Sequence, residues 1–125
     1  PPPSEDEVAL AALAELAGQK LLRSGSYKRH YFRLSEILKE YIGARYRFDA
    51  MESTTREMMG MLEPRVSGGV GLLRDIEEIF LSLDFVKFTD HVPGVVEGEL
   101  LLERARQFVL TTRKSAAVDG GPRAV

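Results

Sequence analysis

Apolar residues recur every three or four positions along most of the chain, and the longest such stretch runs from Tyr27 to Phe48. Tyr27, Tyr31, Leu34, Leu38, Tyr41 and Ile42 fall on one stripe of a helix, with Lys28, Arg29, Lys39 and Glu40 outside it. At roughly 1.5 Å per residue this helix would be about 33 Å long, enough for shorter segments on both sides to pack along it. The expected fold class is therefore all-α, with about five helices packed around one long central helix in a single domain.

The flanking segments carry the same period. Ser4 precedes Glu5, Asp6 and Glu7, an N-cap followed by acids where the helix dipole favours them. The helix begun there is expected to use Val8, Leu10, Leu13, Leu16, Ala17 and Leu21 and to end at Ser24-Gly25-Ser26, with Ser26 capping the central helix. Thr54-Thr55-Arg56-Glu57 reads as a capping box opening a brief helix with Met58, Met59, Met61 and Leu62 on its apolar face, stopped by Pro64. A glycine-rich loop, Ser67 to Gly71, comes next. Another amphipathic helix then takes in Leu72, Leu73, Ile76, Ile79, Phe80 and Leu83. Asp84 to Phe88 alternates loosely and is expected to be an extended segment that plugs Phe85 and Phe88 into the core. The last helix is expected from about Val95 to Thr112. Residues 1–3, three prolines, read as the remnant of a linker; 4–114 as the helical domain; and 115–125, mostly small residues, as a disordered tail.

Composition narrows the classes of function. The chain has 125 residues, 44% hydrophobic and 29% charged, in the range of a globular domain, and no cysteine, which removes disulfides and thiolate chemistry. The net charge of −2 gives no global attraction to nucleic acid or anionic lipid. Its distribution is more informative. Lys20 to Arg47 holds eight basic residues against two acids, whereas Phe48 to Glu103 holds four against twelve. A basic central helix inside an acidic shell is chiefly internal complementarity. What remains is a basic face open to a protein partner, to anionic headgroups or to nucleic acid.

Candidate chemistry is sparse. His30 and His91 are the only histidines and have no second ligand at metal spacing. Glu36 and Glu40 lie on one helical face, but Arg29, Arg33 and Lys39 surround them, so helical ion pairs account for them better than an acid pair does. Ser67 to Gly71 lacks the preceding strand and the Gly-Lys-Ser/Thr ending of a phosphate loop. The expectation is a non-enzymatic domain without cofactor or metal. A short capped helix after a turn also suggests a helix-turn-helix DNA-binding regulator as the alternative, yet Thr55 to Leu62 carries no Arg/Asn/Gln-rich recognition surface, which weighs against nucleic acid.

The run YFRLSEILKEYIGARYRF from Tyr31 to Phe48, then Glu52-Ser53-Thr54-Thr55-Arg56-Glu57, then Asp84-Phe85-Val86-Lys87-Phe88, resembles the cytoplasmic C-terminal domain of bacterial membrane proteins of the aerotolerance (BatD-like) operon type. That family shows an LSxxLRxYLxxRF-like helix, an ExTTxE-like turn and a DxVKF-like segment. The motifs are short, and the helical setting around them covers about Ser4 to Thr112. Tyr46 departs from the family's usual Phe, and the loop from Pro64 to Gly71 belongs to none of its motifs. The resemblance implies the cytoplasmic face of the bacterial inner membrane, with an anchoring span outside this chain. It also implies work with a MoxR-type AAA ATPase and von Willebrand factor A-domain proteins in envelope or stress tolerance. It carries no catalytic residues.

Together these readings predict a protein-interaction module. The expected partner-binding residues are Lys28, Arg29, Arg33 and Arg47, which would steer an acidic partner or lie on an anionic membrane surface, with Met58 and Met59 as adaptable contacts. No small-molecule substrate is expected.

Overall fold

The computed structural model describes residues 1–114 and contains five α-helices: α1 (Glu5–Gly18), α2 (Tyr27–Tyr46), α3 (Thr55–Leu62), α4 (Val70–Phe88) and α5 (Val95–Thr112). Among the described residues there is no strand. The expected tail, 115–125, lies outside them. Buried side chains from all five helices form one cluster, with Tyr31, Leu34, Leu38, Tyr41, Ile42, Phe80 and Leu83 at its centre. α2 packs on α1, α4 and α5; α4 also meets α3, and α5 also meets α1 and α4. With 20, 19 and 18 residues, α2, α4 and α5 are of similar length, and each packs on several of the other helices.

Local chemistry explains the helix starts. Glu7 accepts a hydrogen bond from the Ser4 backbone N–H at 2.9 Å. At α3, Thr54 Oγ1 accepts from Glu57 N at 3.1 Å, and the Glu57 carboxylate accepts from Thr54 N at 2.9 Å, so the box satisfies two otherwise orphaned donors. Ser26 occupies the N-cap position of α2, but its side chain makes no capping bond.

Three expectations need correction. α1 stops at Gly18 rather than near Ser24, because Lys20 turns into the left-handed region (φ 55°), and Leu21 and Leu22 then reach the core from the turn. Within α1 the inward positions are Ala9, Leu13 and Leu16, a strict i, i+4, i+7 set that leaves Val8 51% exposed. α4 starts at Val70 inside the glycine-rich loop, with Gly69 at φ 86° as its entry.

The third correction matters most for function. Asp84 to Phe88 is not an extended plug but the last turn of α4. The helical register Ile76, Ile79, Phe80, Leu83, Val86 fills the core and turns Phe85 and Phe88 outward, where they are 54% and 70% exposed.

Candidate docking surfaces

Of the expected partner-binding residues, some are engaged within the fold. Met58 is fully buried (0% exposed) and Met59 half-buried against the core, because the one apolar side of α3 has to face α4. Met58 is therefore packing rather than an adaptable contact. Lys28 is half-buried, and its ammonium donates to the carbonyls of Val86 and, at 2.7 Å, Thr89, closing the C-terminal end of α4. Arg33 pairs with Glu36 at 2.7 Å and approaches Glu40 at 4.0 Å. Arg29 and Arg47 are exposed, but they lie at opposite ends of α2, about 27 Å apart along its axis. Arg47 adopts the left-handed conformation (φ 64°) that ends the helix, its N–H bonded to Gly43 O at 2.9 Å. The six residues do not form one face.

A different set converges. Ser35 and Lys39 are four apart on α2 and so share a side. Residues 51–55 form the turn into α3, and Asp84, Lys87 and Phe88 form the end of α4. Lys39, Met51, Glu52, Ser53, Thr54, Thr55, Asp84, Lys87 and Phe88 line one groove of about 290 Å³. Hydrogen bonds between the three segments set its shape: Lys39 Nζ to Ser53 O at 2.6 Å, Thr55 Oγ1 to Asp84 Oδ2 at 2.6 Å, and Lys87 Nζ to Ser35 Oγ at 3.0 Å.

Its electrostatics follow from that geometry. Asp84 accepts from Thr55, and among the described residues neither Lys39 nor Lys87 has a carboxylate within ion-pair distance. Burial, and then the charge of Lys39, pulls the Lys87 ammonium below its usual value, with Asp84 opposing. The Lys87 ammonium also sits 5.0 Å from the ring centre of Phe32 and 5.1 Å from that of Phe88, and those rings meet edge to face at 6.4 Å. Phe32 is 48% exposed. The groove thus combines two lysines free of ion pairs among the described residues, two carboxylates (Glu52 and the Thr55-bonded Asp84) and an aromatic rim.

Reading the sequence placed neither Lys39 nor Lys87 in a site. The signal was present in the i, i+4 spacing of Ser35 and Lys39 and in the motif segments themselves, but nothing local says that three segments separated by tens of residues meet. Among the described residues no group of three or more His, Asp or Glu could hold a metal, and no helix is long and apolar enough to cross a membrane. In comparisons with known proteins, no family model, no curated protein and no solved structure matches this chain.

Proposed function

We propose that the domain is a non-enzymatic docking module whose working surface is the groove between α2, the turn into α3 and the end of α4. Its occupant is a partner segment that brings a carboxylate beside an apolar side chain. The carboxylate would lie on Lys39 and Lys87 and the apolar group against Phe32 and Phe88. The observation that carries this reading is the half-buried Lys87 ammonium beneath two exposed aromatic rings, in one groove with Lys39 and with neither lysine ion-paired among the described residues although Glu52 and Asp84 line the same groove. An ammonium that has already lost part of its water interacts with an incoming carboxylate more strongly than one at full exposure.

The segments that meet in the groove are the ones that resemble the BatD-like family, which supports a more specific form of the proposal. In that form the chain is one domain built about α2. It is held at the cytoplasmic face of a bacterial inner membrane and presents the groove to a MoxR-type AAA ATPase or a von Willebrand factor A-domain protein.

The test is affinity capture of the full-length protein from its native cell, comparing wild type with Phe88→Asp. Phe88 is 70% exposed, so this change should leave folding intact while placing a negative charge where the carboxylate would approach. Recovery of the ATPase or A-domain protein should fall about tenfold, the loss of one good apolar contact. Unchanged recovery would remove the groove from the account. If Arg29→Glu with Arg33→Glu abolished recovery and Phe88→Asp did not, the N-terminal end of α2 would take its place.

A further inference from the structure

α4 and α5 are joined by a connection of six residues, 89–94, and run antiparallel as neighbours. Their outer edges are zipped at one end by Arg104, whose Nη2 donates to Glu78 Oε1 at 3.1 Å. From that bridge toward the connection, α4 presents Leu81 and Phe85, three and seven residues beyond Glu78. α5 presents Leu100 and Val96, four and eight residues before Arg104. Helical spacing puts each pair on the stripe that carries its half of the bridge. All four are more than half exposed: Leu81 56%, Phe85 54%, Leu100 61% and Val96 66%. At the far end Phe85 stacks on His91 with ring centres 4.7 Å apart, and His91 Nε2 lies 3.1 Å from Glu97 Oε2. The Phe85 ring is thus held in place at the surface rather than folded inward.

We propose that this seam between α4 and α5 is a second docking surface, and that its occupant is an amphipathic helix with basic flanks. An apolar strip between two adjacent helices is the shape that receives the apolar face of a third. The charge around it selects the partner. From Asp75 to Arg106 the chain has eight acidic residues against three basic ones, Lys87, Arg104 and Arg106, a formal balance of −5. An anionic lipid surface would be repelled, and a second copy would bring an equal negative charge against the first. Lysines or arginines flanking the apolar face of a helix would meet Glu77, which has no ion pair among the described residues, and would share Glu97, Glu99 and Glu103 with His91, Arg23 and Arg106. This inference rests on the reading of the domain as a docking module, but the seam and the groove use different residues and select partners of opposite charge.

The probe is a 14-residue peptide of leucine and lysine with helical period, titrated into the isotope-labelled 125-residue chain and followed by amide chemical shifts. Controls are a scrambled peptide of the same composition and a leucine–glutamate counterpart. Shifts are expected along α4 and α5 around Leu81, Phe85, Val96 and Leu100. Affinity should fall at least about tenfold in Phe85→Ser/Leu100→Ser, which leaves every charge in place. If that variant melts early because the His91 stack is lost, Val96→Ser/Leu100→Ser serves instead. The proposal is overturned if the scrambled peptide binds as well, if the serine variants bind equally, or if no binding is seen. It is also overturned if phosphatidylglycerol vesicles bind in place of the peptide, or if the chain dimerises through the same residues. Unchanged capture by Phe88→Asp would sink the groove proposal without touching this titration.

Discussion

Tyr41 on α2 and Thr112 on α5 share a buried hydrogen bond of 2.8 Å, and a second bond fixes its direction. With the hydroxyl hydrogen of Thr112 on Phe108 O, also at 2.8 Å, Tyr41 donates to Thr112, since its other acceptor, Val109 O, lies farther off at 3.4 Å. Tyr31, equally buried one helical face away, has no partner for its hydroxyl among the described residues. The two tyrosines should therefore respond in opposite ways to loss of the same atom. Tyr41→Phe removes one hydrogen bond from a buried threonine hydroxyl that keeps its bond to Phe108 O, and should cost about 1 kcal/mol, whereas Tyr31→Phe removes an unsatisfied group and should be neutral or stabilising by about 1 kcal/mol. Urea midpoints of the two variants against wild type decide it.

The same burial gives alkaline sensitivity. Desolvation pushes both phenols up to about 12 from 10.0, Glu97 adding to the effect at Tyr31 and the Thr112 bond opposing it at Tyr41. Between pH 10 and 12 the unfolded chain releases these protons while the folded chain keeps them, so stability falls as pH rises through that window. A Tyr31→Phe/Tyr41→Phe double variant should show a visibly shallower fall in urea midpoint across it. An unchanged slope would assign alkaline loss to other groups.

At the acid end the relevant group is His30, 2% exposed on α2 with neither ring nitrogen bonded among the described residues. It lies with Leu16, Leu21 and Leu22 beneath Lys20 and Arg23 of the turn after α1 and Glu99 of α5. Burial lowers its pKa below 6.5, and Glu99 only partly restores it. As pH falls through 6.5 the unfolded chain takes up the proton first, so stability is lost below that point. His30→Leu should change stability by no more than about 1 kcal/mol at pH 7.5, since it trades lost packing against two unsatisfied nitrogens. It should lose less than wild type between pH 7.5 and pH 5.5. Equal losses would place acid sensitivity in the carboxylates.

His30 also shows where sequence reasoning stops. The capping box at Thr54 was legible because side chains three residues apart determine it, and the ends of α2 and α5 because the apolar period breaks there. The burial of His30 depends on Leu21 and Leu22 folding over it from the turn and on α5 behind, contacts that no local pattern encodes. Phe85 and Phe88 misled for a related reason. Aromatic residues after an amphipathic run look like core, but the register set by Ile76, Ile79 and Leu83 had already filled the inward positions with Val86. Lys28 reads from its neighbours as a free cation; only the approach of α4, 58 residues away, makes it a cap. The candidate groove is the extreme case, since its three walls are each local and their meeting is not.

The glycines separate helix propensity from close packing. Gly60 sits mid-way along α3 with nothing near the position of an added Cβ, so Gly60→Ala should stabilise by about 0.5–1 kcal/mol. Gly43, in the last turn of α2, is different. Its carbonyl accepts from Arg47 N and Phe48 N as the chain folds back, and an added Cβ would stand 2.9 Å from Phe48 O, itself bonded to Ala50 N. A backbone atom in a bonded turn cannot swing aside as a side chain would, so Gly43→Ala should destabilise by about 1–2 kcal/mol after its gain in helix propensity. The displaced turn continues into Met51 to Thr55, one wall of the groove. Amide shifts in Gly43→Ala should therefore spread to Ser53, Thr55 and Lys87, while those in Gly60→Ala stay within α3. Shifts confined to α2 would show that the end of the helix and the groove are mechanically independent.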